Sequence, residues 1–219
     1  MNIAHCSSTE TAVVHIIDDD ASIQESLADL LQVSCDYRVR TYDCAESFLE
    51  SFQPEGTHCV ITDVRLPKLS GIELCGRLKG SGVPVLIITG HADVSMAVDA
   101  MKIGAFGFFE KPFRPRHLLD RIEEAIVQAE QHAEERQRRS ELEGQLDQLT
   151  GRERQVLDQL LEGQSLKQIA FLFEISHQAV ARHRSKLLEK LDAEGEIQLL
   201  RRLLDAGMTS STPDDGDPS

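Results

Sequence analysis

The chain is poor in the features that build disulfide frameworks, metal clusters and membrane spans. Its five cysteines are odd in number and include no CxxC pair, which favours reduced thiols packed as small hydrophobic groups. No histidine has a convincing ligand spacing to a cysteine or carboxylate. No apolar run could span a bilayer, and Met1 to Thr11 lacks the apolar segment of a signal peptide. We therefore expect no membrane partner and one or two domains at this length.

The net charge of −14 is unevenly distributed along the chain. Residues 1–127 contribute −8, residues 128–149 contribute −3 and residues 208–219 contribute −3, whereas residues 150–207 are neutral. The basic residues of the neutral segment cluster near two histidines, and local clustering matters more than total charge for contact with phosphates. The acidic total therefore does not exclude nucleic-acid binding.

Polar residues follow four short apolar runs in the first half of the chain. Runs of this kind, separated by helix-length segments, are typical of buried parallel strands, whose carboxyl ends meet at one crevice. Carboxylates, a hydroxyl and an ammonium would share that crevice. Such a set can bind Mg²⁺ through hard oxygens and handle a phosphoryl group, with an Asp as the nucleophile. The residues concerned are Asp18, Asp19, Asp20, Asp63, Thr89 and Lys111.

Each of these residues alone has a simpler explanation. Asp20 can cap a helix, and a lone Asp such as Asp63 is more often a turn former. Thr89 can be an ordinary strand exit, and Lys111 an exposed loop charge. The joint pattern favours a functional site, because all four fragments end apolar runs in the order of one α/β alternation.

The stretches VVHIIDDD, ITDVRLPKLSGIEL, VPVLIITGHADVSMAVDAMKIGA and FFEKPF closely resemble the receiver domain of two-component response regulators of the FixJ/NarL class. The resemblance covers residues 12–127 and implies a doubly wound, flavodoxin-like α/β fold with a five-stranded parallel sheet. It implies that Asp63 is the phosphoacceptor. Asp18 and Asp19 would bind Mg²⁺, with Asp19 the more direct ligand, and the backbone carbonyl of Arg65 would supply a further oxygen.

The same resemblance implies a switch and a partner. Thr89 and Lys111 would contact the phosphoryl group, and Phe108 would be the switch aromatic; otherwise it is simply a core residue. The Lys111–Pro112 bond would be cis. A sensor histidine kinase would donate the phosphoryl group, and the face formed by residues 93–103 and 107–110 would then form a homodimer. The protein would be cytoplasmic.

The segment from Arg116 to Gln148 has a helical pattern and would form a helix ~50 Å long. Its second half, residues 128–149, is rich in charged helix formers with a sparse stripe of Leu142, Leu146 and Leu149. That stripe leaves two alternatives open, a solvated linker or a linker that pairs in a dimer. At the other end of the chain, residues 208–219 read as a disordered acidic tail.

Residues 150–207 are predicted to form four helices. Thr150 with Glu153 is a capping-box signature, and Gly163 ends the first helix. Residues 165–168 repeat the signature before the short segment IAFLF, and a basic helix begins at Ser176. A short helix, a tight turn and a basic helix form a helix-turn-helix, whose second helix enters the major groove. A last leucine-rich helix would cover the others or pair with a copy of itself.

This module resembles the LuxR-type helix-turn-helix through LTGRERQVL, KQIA, the IS turn and the following Val and His. Where the family usually carries Thr and Lys, this chain has Ala179 and Ala181, so one phosphate contact is lost. The residues that the resemblance and the local basic cluster assign to promoter DNA are Lys167, His177, Gln178, Val180, Arg182, His183, Arg184 and Lys186.

The sequence therefore predicts a transcriptional regulator that is phosphorylated on Asp63 and is not an enzyme. Two alternatives belong to other classes. A phosphatase with an Asp nucleophile would need the DxDx[TV] start that such hydrolases use, and the chain lacks it. An interaction protein whose helix-turn-helix has lost DNA binding would be consistent with Ala179 and Ala181.

Overall fold

The computed structural model describes residues 11–34, 37–90 and 93–208. The chain divides into an N-terminal unit that ends at Glu134 and a C-terminal unit that begins at Glu135. The predictions for the first ten residues and for the tail beyond Met208 lie outside the described residues.

The N-terminal unit is built on a parallel sheet of five strands in the order β2-β1-β3-β4-β5. This confirms the predicted α/β fold, and β-branched residues dominate the three central strands. The strands are β1 (Val13–Ile17), β2 (Arg38–Tyr42), β3 (His58–Asp63), β4 (Val85–Thr89) and β5 (Gly107–Glu110).

Alternating strand residues form two hydrophobic cores, one on each face of the sheet. One core joins Ile61 and Ile88 to residues of the first and fifth helices, and the other joins Val60 and Ile87 to residues of the three helices between them. Both faces are therefore covered, which explains why the central strands are largely apolar. The helices are α1 (Ala21–Ser34), α2 (Ala45–Ser51), α3 (Gly71–Arg77), α4 (Val94–Ile103) and α5 (Pro115–Asp147).

Helix α5 is a single helix of 33 residues, as predicted. Leu118 and Ile122, near its start, are fully buried in the N-terminal unit. Leu142 and Leu146, near its end, are buried in the core of the C-terminal unit. The leucine stripe is thus part of the chain's own core, which neither alternative for this segment foresaw. The boundary proposed at residue 150 stays a prediction.

The C-terminal unit contains α6 (Gly151–Leu161), α7 (Leu166–Leu172), α8 (His177–Lys190) and α9 (Glu196–Asp205). The predicted capping boxes are both present, at Thr150 and at Ser165, and the hydroxyl of Ser176 accepts from the amide of Ala179. Gly163 has the positive φ of 80° that ends a helix. Leu199 and Leu203 of α9 complete the core. Among the described residues, no helix is sufficiently long and apolar to cross a membrane.

Candidate functional site

The carboxyl ends of four parallel strands bring the predicted phosphoryl-handling residues to one edge of the sheet. Asp18 directly follows β1, Asp63 ends β3, Thr89 ends β4 and Lys111 directly follows β5. Hydrophobic burial of the strands fixes these positions, since each strand has a single register with its neighbours.

Lys111 joins the two carboxylates that lie deepest in this edge. Its Nζ donates to Oδ2 of Asp18 and to Oδ2 of Asp63, each at 2.9 Å. Burial alone would lower the pKa of the Lys111 ammonium, but its hydrogen bonds to Asp63 and Asp18 outweigh this and raise the pKa. Lys111 is therefore held charged and balances the two carboxylates.

Asp18 is fixed by the backbone around it. It is buried, and its Oδ1 accepts from the amide of Asp20 at 3.0 Å. Gln24 Nε2 donates to the carbonyl of Asp18 at 2.6 Å and to the carbonyl of Tyr42 at 3.0 Å. Gln24 thus ties the end of β1 to the end of β2, a role that the sequence analysis missed; its position early in the helix after the acidic run was the available signal.

Asp19 and Asp20 have different surroundings from Asp18. Both are exposed. Asp20 caps α1, with Oδ1 accepting from the amide of Ser22 at 2.9 Å. Hydrogen bonds from the side chain and then the backbone of Ser22 lower the pKa of the Asp20 carboxyl. The capping interpretation of Asp20 is confirmed, and the ligand role of Asp19 stays a prediction.

The loop after β3 holds the Asp63 carboxylate oxygen that Lys111 does not contact. The amide of Arg65 donates to Asp63 Oδ1 at 2.8 Å. Gly71 starts α3 so close to this loop that a Cβ there would lie 2.1 Å from the carbonyl oxygen of Asp63. Ser70 and Glu73 form a capping box that fixes the start of α3. The sequence analysis also missed Gly71, because a close approach between two backbone segments leaves no pattern in the sequence.

The oxygens at this edge fit a magnesium ion. Asp18 Oδ2 and Asp63 Oδ2 already contact one cation, the Lys111 ammonium, so a compact dication could reach both. Among the described residues, no group of three or more His, Cys, Asp or Glu side chains is arranged to hold a metal. Mg²⁺ itself needs only one or two carboxylates, which Asp18 and Asp63 could supply, and several waters.

Thr89 lies beside this cluster at the end of β4, whereas Phe108 lies in β5, three residues before Lys111. The Thr89 side chain is buried, and its carbonyl accepts from the amide of Lys111 at 2.7 Å. Phe108 is half-buried against the core that includes Val60 and Ile87. The Lys111–Pro112 bond is cis, as predicted.

The residues predicted to contact DNA separate into distinct groups in the structure. Lys167, His177, Gln178, Arg182 and Lys186 are exposed, and His183 is half-buried. The predicted DNA contact of Val180 is corrected: the side chain is fully buried in the C-terminal core, so it anchors α8 from behind. The sequence placed Val180 on the wrong face because its position in the motif does not reveal which side of α8 packs inward.

Ion pairs hold α8 against its neighbours. Arg184 Nε donates to Glu196 Oε1 of α9 at 2.6 Å, and Lys190 Nζ donates to Glu153 Oε2 of α6 at 2.7 Å. Glu153 is buried, and hydrogen bonds from Lys190 and from the backbone of Thr150 lower its pKa to about 2. The Glu153 carboxylate therefore links the cap of α6 to α8.

Comparisons with known proteins match both units. The family model described as response regulator receiver domain matches residues 14–123, and the model described as bacterial regulatory proteins, luxR family, matches residues 147–203. The transcriptional regulatory protein FixJ of Bradyrhizobium diazoefficiens is 41% identical over 197 residues, covering 89% of this chain and 96% of FixJ. The response regulator TodT of Pseudomonas putida is 37% identical, covering 89% of this chain and 86% of TodT.

Solved structures give the same result. The response regulator StyR is 38% identical with a TM-score of 0.78, covering 89% of this chain and 99% of that chain. Full-length FixJ from B. japonicum is 40% identical with a TM-score of 0.52, covering 90% of this chain and 98% of that chain.

Proposed function

Since the chain belongs to the response regulators that join a receiver domain to a LuxR-type DNA-binding domain, we propose that Asp63 is its phosphoacceptor and α8 its DNA-reading helix. The family regulates transcription in response to phosphorylation. The assignment of Asp63 as phosphoacceptor rests mainly on one observation: Lys111 joins Asp18 and Asp63 at the carboxyl edge of the sheet.

In the proposed reaction, an oxygen of Asp63 attacks the phosphorus of a phosphohistidine on a sensor histidine kinase. The new O–P bond forms as the N–P bond breaks, and the imidazole leaves. Lys111 balances charge on the phosphoryl oxygens, and the Arg65 amide keeps the Asp63 carboxylate oriented. Asp18, Asp19, Asp63 and the Arg65 carbonyl would hold Mg²⁺, which supplies Lewis-acid charge neutralisation when bound.

The phosphoryl group then acts as a switch. The Thr89 hydroxyl turns toward the phosphoryl oxygens, and Phe108 moves inward into the space that Thr89 leaves. Because phosphate must favour one of two packings to shift the population, the change alters the surface of α4 and β5. We propose that this surface then forms a homodimer, which presents two recognition helices to two half-sites of promoter DNA.

The DNA-binding role is supported by the charge and exposure of α8. Its exposed residues include Arg182 and Lys186, and its buried residues anchor it on α6, α7 and α9. Lys167, at the start of α7, is exposed and would contact the phosphate backbone. A dimer binds two half-sites about one helical turn apart, so a two-fold symmetric operator is expected.

The test is selection of genomic DNA fragments by the purified protein in Mg²⁺ and a small phosphodonor, compared with Asp63→Asn. Asp29→Asn is the matched control, because Asp29 is exposed on α1 and no hydrogen bond or ion pair joins its side chain to the described residues. Enrichment of a two-fold motif by wild type and Asp29→Asn, but not by Asp63→Asn, is the expected result.

Other outcomes of this selection have distinct meanings. Equal enrichment by all three proteins would mean that DNA binding does not need Asp63. No enrichment, with phosphate on Asp63 confirmed by mass, would favour an interaction protein that has lost DNA binding. We also propose that the chain is not a phosphatase. It should therefore release no more than one equivalent of product from a small phosphate ester.

A further inference from the structure

The four cations of α8 fall into two pairs with different surroundings. Arg184 and Lys190 are both engaged by acidic side chains of other helices, Glu196 and Glu153. Lys190 Nζ also donates to the carbonyl of Gln148 at 3.1 Å. Their charges are largely neutralised within the C-terminal unit, so they hold helices together and are poor candidates for contact with DNA.

Arg182 and Lys186 are the other pair. Both are exposed, and neither forms a hydrogen bond or ion pair with any other residue that the structure describes. They are four residues apart, as are Gln178 and Arg182, so these three side chains form one stripe along α8. Glu189 is exposed three residues beyond Lys186. Its negative charge repels phosphates, so they can approach α8 closely only along the part of the helix before Glu189.

The stripe lies on the side of α8 opposite the core. Val180 and Leu187 are fully buried, and at about 100° per residue Arg182 lies far around the helix from both. Arg184, about 200° from Arg182, points back toward α9, where Glu196 holds it. Gln178 and Arg182 are flanked by Ala179 and Ala181, whose short side chains let this stretch of α8 come close to the floor of a groove.

We propose that Arg182 is the principal base-reading residue of this protein and takes a guanine in each half-site. A guanidinium fork binds guanine O6 and N7 in the major groove through two hydrogen bonds, the commonest specific contact between a protein and DNA. Lys186, a point charge further along the stripe, contacts a phosphate. Arg184 and Lys190 take no part in sequence reading. This assignment rests on the DNA binding proposed above and deepens it.

The experiment uses a library of randomised DNA duplexes and the full chain, phosphorylated by a small phosphodonor. Wild type, Arg182→Gln and Arg184→Gln are compared, because the two variants remove the same charge by the same chemical change two residues apart. Arg182→Gln should lose a guanine preference at one position of each half-site and bind the wild-type motif about tenfold or more weakly. Arg184→Gln should select the wild-type motif.

Two further variants separate base contact from charge. Arg182→Lys keeps the charge but loses the fork, so the guanine preference should weaken while the salt dependence of binding stays steep. Lys186→Gln should weaken binding to all sequences alike, with a slope of log K against log salt shallower by about one per protomer. Arg182→Gln should unfold at the wild-type temperature, since Arg182 has no hydrogen-bond or ion-pair partner to lose among the residues that the structure describes.

The outcomes separate this inference from the proposed function. A wild-type motif that Arg182→Gln still selects with its guanine intact would overturn the inference alone. So would a uniform loss of affinity with a shallower salt slope, which would make Arg182 a phosphate contact. A wild-type protein that selects no sequence would overturn the proposed function and this inference together.

Discussion

Lys111 balances two carboxylates, and its removal leaves them facing one another. We predict that Lys111→Met destabilises the N-terminal unit by about 2 kcal/mol, the range of a charge-assisted hydrogen bond, because both carboxylates lie deep in the site. Added Mg²⁺ should restore stability in this variant more than in wild type, since a bound dication replaces the ammonium. Thermal unfolding with and without Mg²⁺ measures both effects.

Lys79→Met is the control for this prediction, because Lys79 is exposed after α3. It should unfold at nearly the wild-type temperature and respond to Mg²⁺ as wild type does. If Lys111→Met were as stable as wild type without Mg²⁺, the two carboxylates would not depend on the ammonium.

His15, the middle residue of β1, makes the stability of the N-terminal unit sensitive to acid. Its Nε2 lies 3.1 Å from His58 Nδ1, and its Nδ1 lies 3.3 Å from the Tyr42 hydroxyl. Burial, and then the charges of His58 and Arg40, lower the pKa of His15 from 6.5 to about 3. The unfolded chain therefore binds the proton more readily between these two values, so stability falls as pH drops from about 6.5 toward 3.

We predict that His15→Phe flattens this dependence. The phenyl ring fits among Tyr42, Phe48 and Phe52, whose ring centres lie 5.1–5.9 Å from that of His15. The free energy of unfolding, measured by denaturant titration, should change with pH between 6 and 4.5 by about 1.4 kcal/mol per pH unit less than in wild type. Parallel curves for the two proteins would mean that His15 does not set the acid sensitivity.

Sequence reasoning predicted which residues meet at the carboxyl edge of the sheet, because strand ends define their positions. Asp18, Asp63, Thr89 and Lys111 each end an apolar run, and parallel pairing then places them together. Gln24 and Gly71 act through backbone atoms of distant residues, so no periodic pattern marks them. Whether Arg182 or Arg184 of α8 remains available to DNA was equally beyond the sequence, because the acidic partner Glu196 lies on another helix.

Two helix caps of the C-terminal unit differ by one charge and allow a controlled comparison. Thr150 forms a capping box with Glu153, whereas Ser165 forms a capping box with Gln168. We predict that Glu153→Gln keeps the cap but loses the charge-assisted contact with Lys190, at a cost of about 1.5–3 kcal/mol. Because the pKa of Glu153 is lowered to about 2, its contribution is complete above pH 4.5 and is lost as pH falls toward 2.

The measurement is chemical unfolding of Glu153→Gln at pH 7 and at acid pH, where the difference from wild type should shrink. Glu194→Gln is the control, since Glu194 is exposed and its side chain forms no ion pair with the described residues. Equal stability of the two variants at pH 7 would contradict the prediction.

The same glycine substitution should have opposite effects in α5 and α3. Gly144 is in the interior of α5, and a Cβ there meets nothing within 4 Å. We predict that Gly144→Ala stabilises the chain by about 0.5–1 kcal/mol through helix propensity. Gly71→Ala should instead cost about 2 kcal/mol or more, because its Cβ would clash with the Asp63 carbonyl oxygen.

Unfolding curves of the two variants measure these changes, and phosphorylation of Asp63 by a small phosphodonor provides a second readout. Gly144→Ala should accept phosphate as wild type does, whereas Gly71→Ala should accept it more slowly because the Asp63 backbone is displaced. A stabilising Gly71→Ala would mean that α3 can move away from Asp63 without cost.

Element types were largely predictable, but their packing partners were not. The length of α5 follows from a long run that is rich in helix formers and has few breakers, and the starts of α6, α7 and α8 follow from side-chain caps. Leu142 and Leu146, however, occur too sparsely to indicate a core by themselves. They are buried because α6 to α9 leave an apolar surface that only tertiary structure reveals.

Across the whole chain, signalling requires that a change at Asp63 reach the DNA-binding unit, and we propose dimerisation of the N-terminal unit as the route. Helix α4 has an apolar stripe at Val94, Val98 and Met101, which are 80%, 44% and 50% exposed. Their spacing of four and three residues places them on one face of α4. Burying this stripe against a second copy would stabilise a phosphorylated dimer through apolar contact.

We predict that Val98→Glu accepts phosphate on Asp63 but stays monomeric, because a buried, unpaired carboxylate in the interface costs several kcal/mol. Val33→Glu is the matched control, since Val33 is 89% exposed on α1, and it should dimerise on phosphorylation as wild type does. Light scattering at working concentration, with phosphate measured by mass, distinguishes the two variants. A phosphorylated wild-type protein that remains monomeric, alone and on DNA, would remove dimerisation from the mechanism. A Val98→Glu variant that dimerises normally would move the interface away from α4.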